Sequence, residues 1–173
     1  MRETVEQYKT RIAGYRSGQD PLQMQREMPK TLQTTISTIP QELLHLRPSP
    51  GKWSISEIVT HLADDELVGA YRIRLILGAP GTEIQAFDQQ RWSETGKYSL
   101  RNVKESLQLF TVLRQANLAL FALLDQEQWK LYGIHAERGR ESIRDIAEYY
   151  AGHDINHLLQ IREIARNLQK THA

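Results

Sequence analysis

His153-Asp154-Ile155-Asn156-His157 is the stretch on which the reading of this chain turns, and its counterpart is a single histidine far upstream, His61. Residues four apart on an α-helix differ by roughly 400° of rotation and about 6 Å of rise, so both imidazoles leave the same face. Two imidazoles placed in this way can close on one transition metal at about 2.0–2.1 Å per bond. With His61 as a third ligand and a coordination position left open, the arrangement is that of a reactive site rather than a structural one. The plain alternative is two imidazoles on a helix surface and a third packed in the core. His45, His135 and His172 act as internal controls, because none has a second histidine at helical spacing.

Outward from this pair, the chain reads as helices separated by short breakers. Ser142 caps the last helix, which carries Ile143, Ile146, Tyr150, His153, His157 and Ile161 on one stripe. Ser54-Ile55-Ser56-Glu57 is a capping box that opens a long helix through Ile58, His61, Leu62, Leu67 and Ile73, stopped by Gly78-Ala79-Pro80-Gly81. Between Ser99, read as a cap, and Leu124 lies a third helix with Val103, Leu107, Phe110, Leu113 and Leu120 facing inward. Asp20-Pro21 starts another, with Met24, Met28, Leu32 and Ile36 as its buried stripe and a kink or break expected at Pro29. A short polar helix precedes it, between Arg2 and Arg16. No segment alternates convincingly enough to be read as a strand.

Four substantial helices, with one long connection between the second and third, predict an all-α four-helix bundle with a non-sequential crossover and a short N-terminal helix. If the crossover makes the second and third helices parallel, the second and fourth run antiparallel, and His61 can meet His153 and His157 inside the bundle. One domain is expected over residues 1–173, with 1–18 as an N-terminal helical extension and 19–170 as the bundle.

Composition narrows the function. Lysine plus arginine number 22 against 21 aspartate plus glutamate, so no basic stripe argues for nucleic acid. No apolar run is long enough to span a membrane, and the polar N-terminus is no signal peptide, so a cytoplasmic protein is expected. Cysteine is absent, which excludes disulfides, cysteine-ligated metal and a cysteine nucleophile. Any metal is held by nitrogen and oxygen, and any thiol comes from outside.

Gly51 to Glu66, then Phe87-Asp88 with Trp92, then Gly152 to Ile161 resemble, in order and spacing, the DinB/YfiT-like superfamily. The resemblance spans about Gly18 to the end of the last helix. It implies an up-down-down-up four-helix bundle with a divalent metal held by three histidines, here His61, His153 and His157. Characterised relatives include metal-dependent transferases that use bacillithiol, mycothiol or glutathione, and thiol-dependent isomerases.

Several residues near this triad are candidates for catalysis. Asp65 could add an oxygen ligand or orient a metal-bound water, with Asp64 as its competitor; the bland reading is a solvated acidic turn at Asp64-Asp65-Glu66. Gln160 could hydrogen-bond a metal-bound water or the substrate. Tyr149 or Tyr150 could bring a hydroxyl to the open position, although an aromatic at this spacing is more often core. His135 could reach the site from the connection before the last helix. Arg72 and Arg114 read as buried ion pairs, or as binders of a cosubstrate carboxylate. Trp53 reads as a packing anchor, and Trp92 as a cover of the pocket or a plug of the bundle end.

The leading expectation is a metal-dependent transferase or isomerase. Its divalent ion (zinc, nickel or iron) would activate an external small-molecule thiol toward an electrophilic substrate. The alternatives are a metal-dependent hydrolase with a metal-bound water and a non-catalytic metal-binding or interaction protein. No separate organic cofactor is expected, and a homodimer is one assembly the reading allows.

Overall fold

A computed structural model describes residues 3–172 of the protein, with the side chain of His172 outside the described residues. Four long helices form the bundle: α2 (Pro21–Ser37), α3 (Ile55–Gly78), α5 (Val103–Phe121) and α6 (Ile143–His172). A short α1 (Val5–Tyr15) precedes them, and α4 (Gln89–Thr95) lies in the crossover between α3 and α5.

Named contacts fix the direction of each helix. Thr60 meets Ser106 at 3.0 Å near the starts of α3 and α5, and Arg74 meets Asn117 at 2.9 Å near their ends, so the two run parallel. His61 meets His153 while Gly69, two turns further on, meets Tyr150, so α3 and α6 run antiparallel. Gln25 bonds the carbonyl of Ala147 at 2.7 Å, and Leu32 and Ile36 share a core with Leu158 and Ile161, so α2 runs with α6. The bundle is therefore up-down-down-up.

Both capping boxes at the ends that matter are formed. Ser54 accepts from the Glu57 amide while Glu57 accepts from the Ser54 amide, and Ser142 and Asp145 do the same at the start of α6. Two glycines allow helices to approach closely. A Cβ on Gly152 would lie 2.3 Å from the carbonyl oxygen of Ile12, so only glycine lets α1 settle on α6. A Cβ on Gly69 would lie 2.6 Å from the Tyr150 ring.

The structure corrects four expectations. A three-stranded sheet is present: β1 (Glu83–Ile84) pairs parallel with β2 (Tyr132–His135), which pairs antiparallel with β3 (Gly139–Ser142). It straps the crossover to the hairpin that feeds α6. Asn102, not Ser99, caps α5; Ser99 lies in a 3₁₀ turn at Tyr98–Leu100. The buried stripe of α5 is Val103, Ser106, Phe110, Arg114, Asn117 and Phe121, so Leu107, Leu113 and Leu120 lie at its flanks. Finally, of the kink or break expected at Pro29, the break is absent: α2 stays helical from Pro21 to Ser37. Proline has no N–H to offer the carbonyl of Gln25 one turn back, and Arg114 Nη1 donates to that oxygen instead, at 3.3 Å.

Arg114 joins all four bundle helices. Besides Gln25 on α2, it donates to Asp154 on α6 at 2.7 Å and to Glu66 on α3 at 2.7 Å, while Asn117 beside it on α5 holds the other Glu66 oxygen at 2.8 Å. All three charged groups are buried. The ion-pair reading of Arg114 thus holds. Arg72 is different: it donates to the carbonyl of Gln85 at 2.8 Å and lies over Phe87, pinning the crossover without a carboxylate.

Candidate metal centre

Antiparallel packing of α3 and α6 brings His61, His153 and His157 together in the interior. The Nε2 atom of His153 lies 3.3 Å from that of His61 and 3.2 Å from that of His157. Two nitrogens bound to one tetrahedral ion at about 2.0–2.1 Å stand about 3.3 Å apart, so the spacing suits a shared metal.

The tautomers point the same way. His157 Nδ1 faces Gln160 Oε1 at 3.0 Å, an oxygen that can only accept, so the proton sits on Nδ1 and Nε2 carries a lone pair. His153 Nδ1 faces Asp65 Oδ2 more loosely, at 3.6 Å, which favours the same tautomer. With the His153 proton on Nδ1, its Nε2 and that of His157 present two lone pairs 3.2 Å apart, a contact that a cation between them resolves. Burial lowers the basicity of all three rings, driving His61 and His153 well below the usual histidine range and His157 to about 4. Near neutral pH they are uncharged imidazoles, the form that binds metal.

Asp65 corrects the acidic-turn reading. Only Asp64 is partly solvated, where it binds Tyr98 at 2.8 Å and Arg101 at 3.3 Å, turned away from the histidines. Asp65 is buried behind His153, and burial raises its carboxyl to about 7 despite Arg72 and Arg138 nearby. It sits at the Nδ1 side of the ring, opposite the nitrogen that faces the other histidines, a position from which it could orient that ring but not a water on the metal side. Asp65→Asn is accordingly expected to weaken metal affinity roughly 10–100-fold, the range for groups that orient ligands. Equilibrium dialysis against zinc measures it, and an unchanged affinity would return Asp65 to a bystander.

Tyr150 is core: its hydroxyl donates to the carbonyl of Asp65 at 2.9 Å and is spent there. Tyr149 stacks on His153 with centroids 5.9 Å apart and planes 19° from parallel. Trp53 does more than anchor a loop, since its ring lies 5.0 Å from that of His61. Trp92 packs on Phe87, with centroids 4.6 Å apart. His135 stays outside the triad, buried at the end of β2, where its Nδ1 accepts from the Glu137 amide at 3.2 Å.

His157 reaches the wall of a cleft of ≈ 370 Å³, formed with Tyr8 and Lys9 of α1, Glu137 and Arg138 of the β2–β3 hairpin, and Tyr149. A second hollow of ≈ 640 Å³ beside Trp53 and Phe87 shares Gln89 and Glu137 with it. None of Tyr8, Gln89, Glu137 or Arg138 stood out in the sequence. They come from three separate segments with no shared spacing, and only the folded chain assembles them.

The family model described as the DinB superfamily matches residues 25–161. Among curated relatives, "Putative metal-dependent hydrolase YfiT" of Bacillus subtilis is 24% identical over 166 residues, covering 95% of this chain and 93% of that protein. A protein of Oceanobacillus iheyensis with the same functional description is 26% identical over 140 residues, 81% of each chain. The solved structure of Bacillus subtilis YfiT, described as "a probable metal-dependent hydrolase with an unusual four-helix bundle topology", superposes with a TM-score of 0.80 at 22% identity. That match covers 98% of this chain and 91% of YfiT. With a family match over most of its length and the bundle topology in common, the chain belongs to the DinB superfamily.

Proposed function

We propose that the protein is a divalent-metal-dependent hydrolase acting on a small ester or amide in the cleft that ends at His157. The observation that carries this reading is the convergence of three buried, neutral imidazoles through facing Nε2 atoms, one of which, His157, reaches the wall of a cleft. When bound, a divalent ion at such a site supplies Lewis acidity and a water whose pKa is brought to about 7. The chain's own residues do the rest. Gln160 holds the His157 ring in the binding tautomer, and Asp65 faces Nδ1 of His153 from 3.6 Å. Glu137, exposed at the cleft wall with no side-chain partner among the described residues, is the group placed to accept a proton there, a role Asp65 cannot fill from behind His153. The names of the relatives support hydrolysis. Nitrogen donors alone do not choose among zinc, nickel and iron.

A second reading is transfer or isomerisation with an external low-molecular-weight thiol. It is favoured by a cysteine-free chain whose open site has room for a small cosubstrate. Arg72 and Arg114, once candidates to bind that cosubstrate, are both engaged elsewhere. The zinc- and cobalt-loaded protein should be offered a panel of small esters and amides, and separately titrated with thiols under anaerobic conditions. Metal-dependent turnover without thiol, lowered by Glu137→Gln, is the expected result. Selective thiol uptake with no hydrolysis would replace the first reading by the second, and inertness to both would leave a non-catalytic metal-binding protein.

A further inference from the structure

Arg138 is held more firmly than a surface cation needs to be. Its Nε and Nη2 donate to the two carboxylate oxygens of Glu141, the second at 2.9 Å, and its guanidinium carbon lies 4.7 Å from the centre of the Tyr149 ring. Tyr149 in turn stacks on the candidate ligand His153. The side chain is only 12% exposed, yet it lines the cleft that reaches His157. Its third nitrogen, Nη1, has no hydrogen-bond partner among the described residues and is not sealed from solvent. A planar guanidinium with its Nε–Nη2 edge held by Glu141, a face against Tyr149 and Nη1 free, next to a ring that stacks on a candidate metal ligand, is a preorganised group for an oxyanion.

The other charges in the cleft nearly balance, so the free Nη1 of Arg138 rather than the net field is what would draw an anion. Glu3 is paired with Arg11 at 2.9 Å, which leaves Glu137 as the unpaired acid. Lys9, on the α1 wall, has no carboxylate partner among the described residues. The hairpin geometry accounts for the placement: Gly139, at φ 73°, turns the chain directly after Arg138, so β3 returns Glu141 beneath its guanidinium.

We propose that Arg138 forms a substrate subsite for a carboxylate, with Lys9 as a second cation, so that the molecule bound in the cleft carries an acid group set apart, along the cleft wall, from the atoms that meet the metal. This deepens the hydrolase reading and rests on it for the word substrate, but the subsite itself is a matter of binding. Tyr149 is then a spacer, and the β2–β3 hairpin is the element that selects the ligand.

The test uses the zinc-loaded full chain, with succinate and its uncharged diamide as probes, followed by calorimetry. Wild type should bind succinate and discriminate against the diamide. Arg138→Gln should weaken succinate at least tenfold without changing zinc affinity, and Arg138→Lys should recover part of the loss, since a point charge replaces the fork. Thermal unfolding of both variants checks that the hairpin persists; if Arg138→Gln does not fold, Arg138→Lys and Lys9→Gln carry the comparison. Equal succinate affinity in wild type and the folded variants, or no preference for succinate over the diamide, would overturn the subsite. Because no turnover is measured, failure of the hydrolase reading would show in the ester and amide panel and leave this result standing.

Discussion

Arg114→Met is expected to lower the unfolding free energy by about 3–5 kcal/mol, because it strands two buried carboxylates. For a chain of this size that corresponds to a fall of about 6–20 °C in the thermal midpoint. Glu66 and Asp154 each lie 2.7 Å from the guanidinium and are buried with it, so removing the cation leaves both carboxylates without a counter-charge. The same substitution also removes the donor that satisfies the Gln25 carbonyl freed by Pro29. A companion variant separates these effects. Glu66→Gln with Asp154→Asn and Arg114→Met removes all three charges together, and neutral replacement of a buried ion cluster is often close to neutral in stability. It should recover at least half of the loss measured in denaturant. A cost below about 1 kcal/mol for Arg114→Met alone would show that the cluster does not hold the four helices as described.

The second large effect concerns the imidazoles. His157→Ala removes one of three candidate ligands and is expected to reduce divalent-metal affinity by more than about 100-fold, beyond the range for groups that only orient a ligand. The fold should persist, since His157 lies at the cleft edge, 8% exposed, rather than in the apolar clusters. Protons compete with metal for the same nitrogens, and here burial shifts the window. Histidines with ordinary basicity would begin to lose metal near pH 6.5. Because burial lowers all three, with His157 at about 4, the folded protein should hold metal with nearly level affinity down to about pH 5 and lose it steeply below. Competitive titration with a chelator across that range measures the window. An affinity that falls steeply already between pH 7 and 6 would mean that the rings are not buried as described.

How much of this was legible beforehand differs from element to element. Helices α3 and α6 were readable because each opens on a side-chain cap and keeps a helical period through its histidines. The long crossover allowed α5 to run parallel to α3, and the family resemblance implied it. The sheet was not readable: its strands are two to four residues long and are held by pairing between segments far apart in sequence, such as Ile84 with His135. A two-residue alternation leaves no period to detect. The inward face of α5 was misjudged because an apolar rule discards Ser106, Arg114 and Asn117, which are buried by virtue of partners on other helices. The same blindness hid Pro29's compensation and Asp65's burial. Each depends on a group contributed by a different helix or segment: the guanidinium of Arg114, and the ring of His153. The triad itself needed only spacing on α6 and the antiparallel approach of α3. The cleft wall needed the whole fold.

The central claim is that His61, His153 and His157 hold one divalent ion in an open site. The most direct measurement is titration of the metal-free protein with cobalt, followed by its visible ligand-field absorption, in wild type and in His157→Ala. A low-coordinate cobalt spectrum that grows to a break at one equivalent per chain, and is lost in the variant, is the predicted result. Saturation with the same spectrum and the same affinity in His157→Ala, or no ligand-field change in wild type, would contradict it.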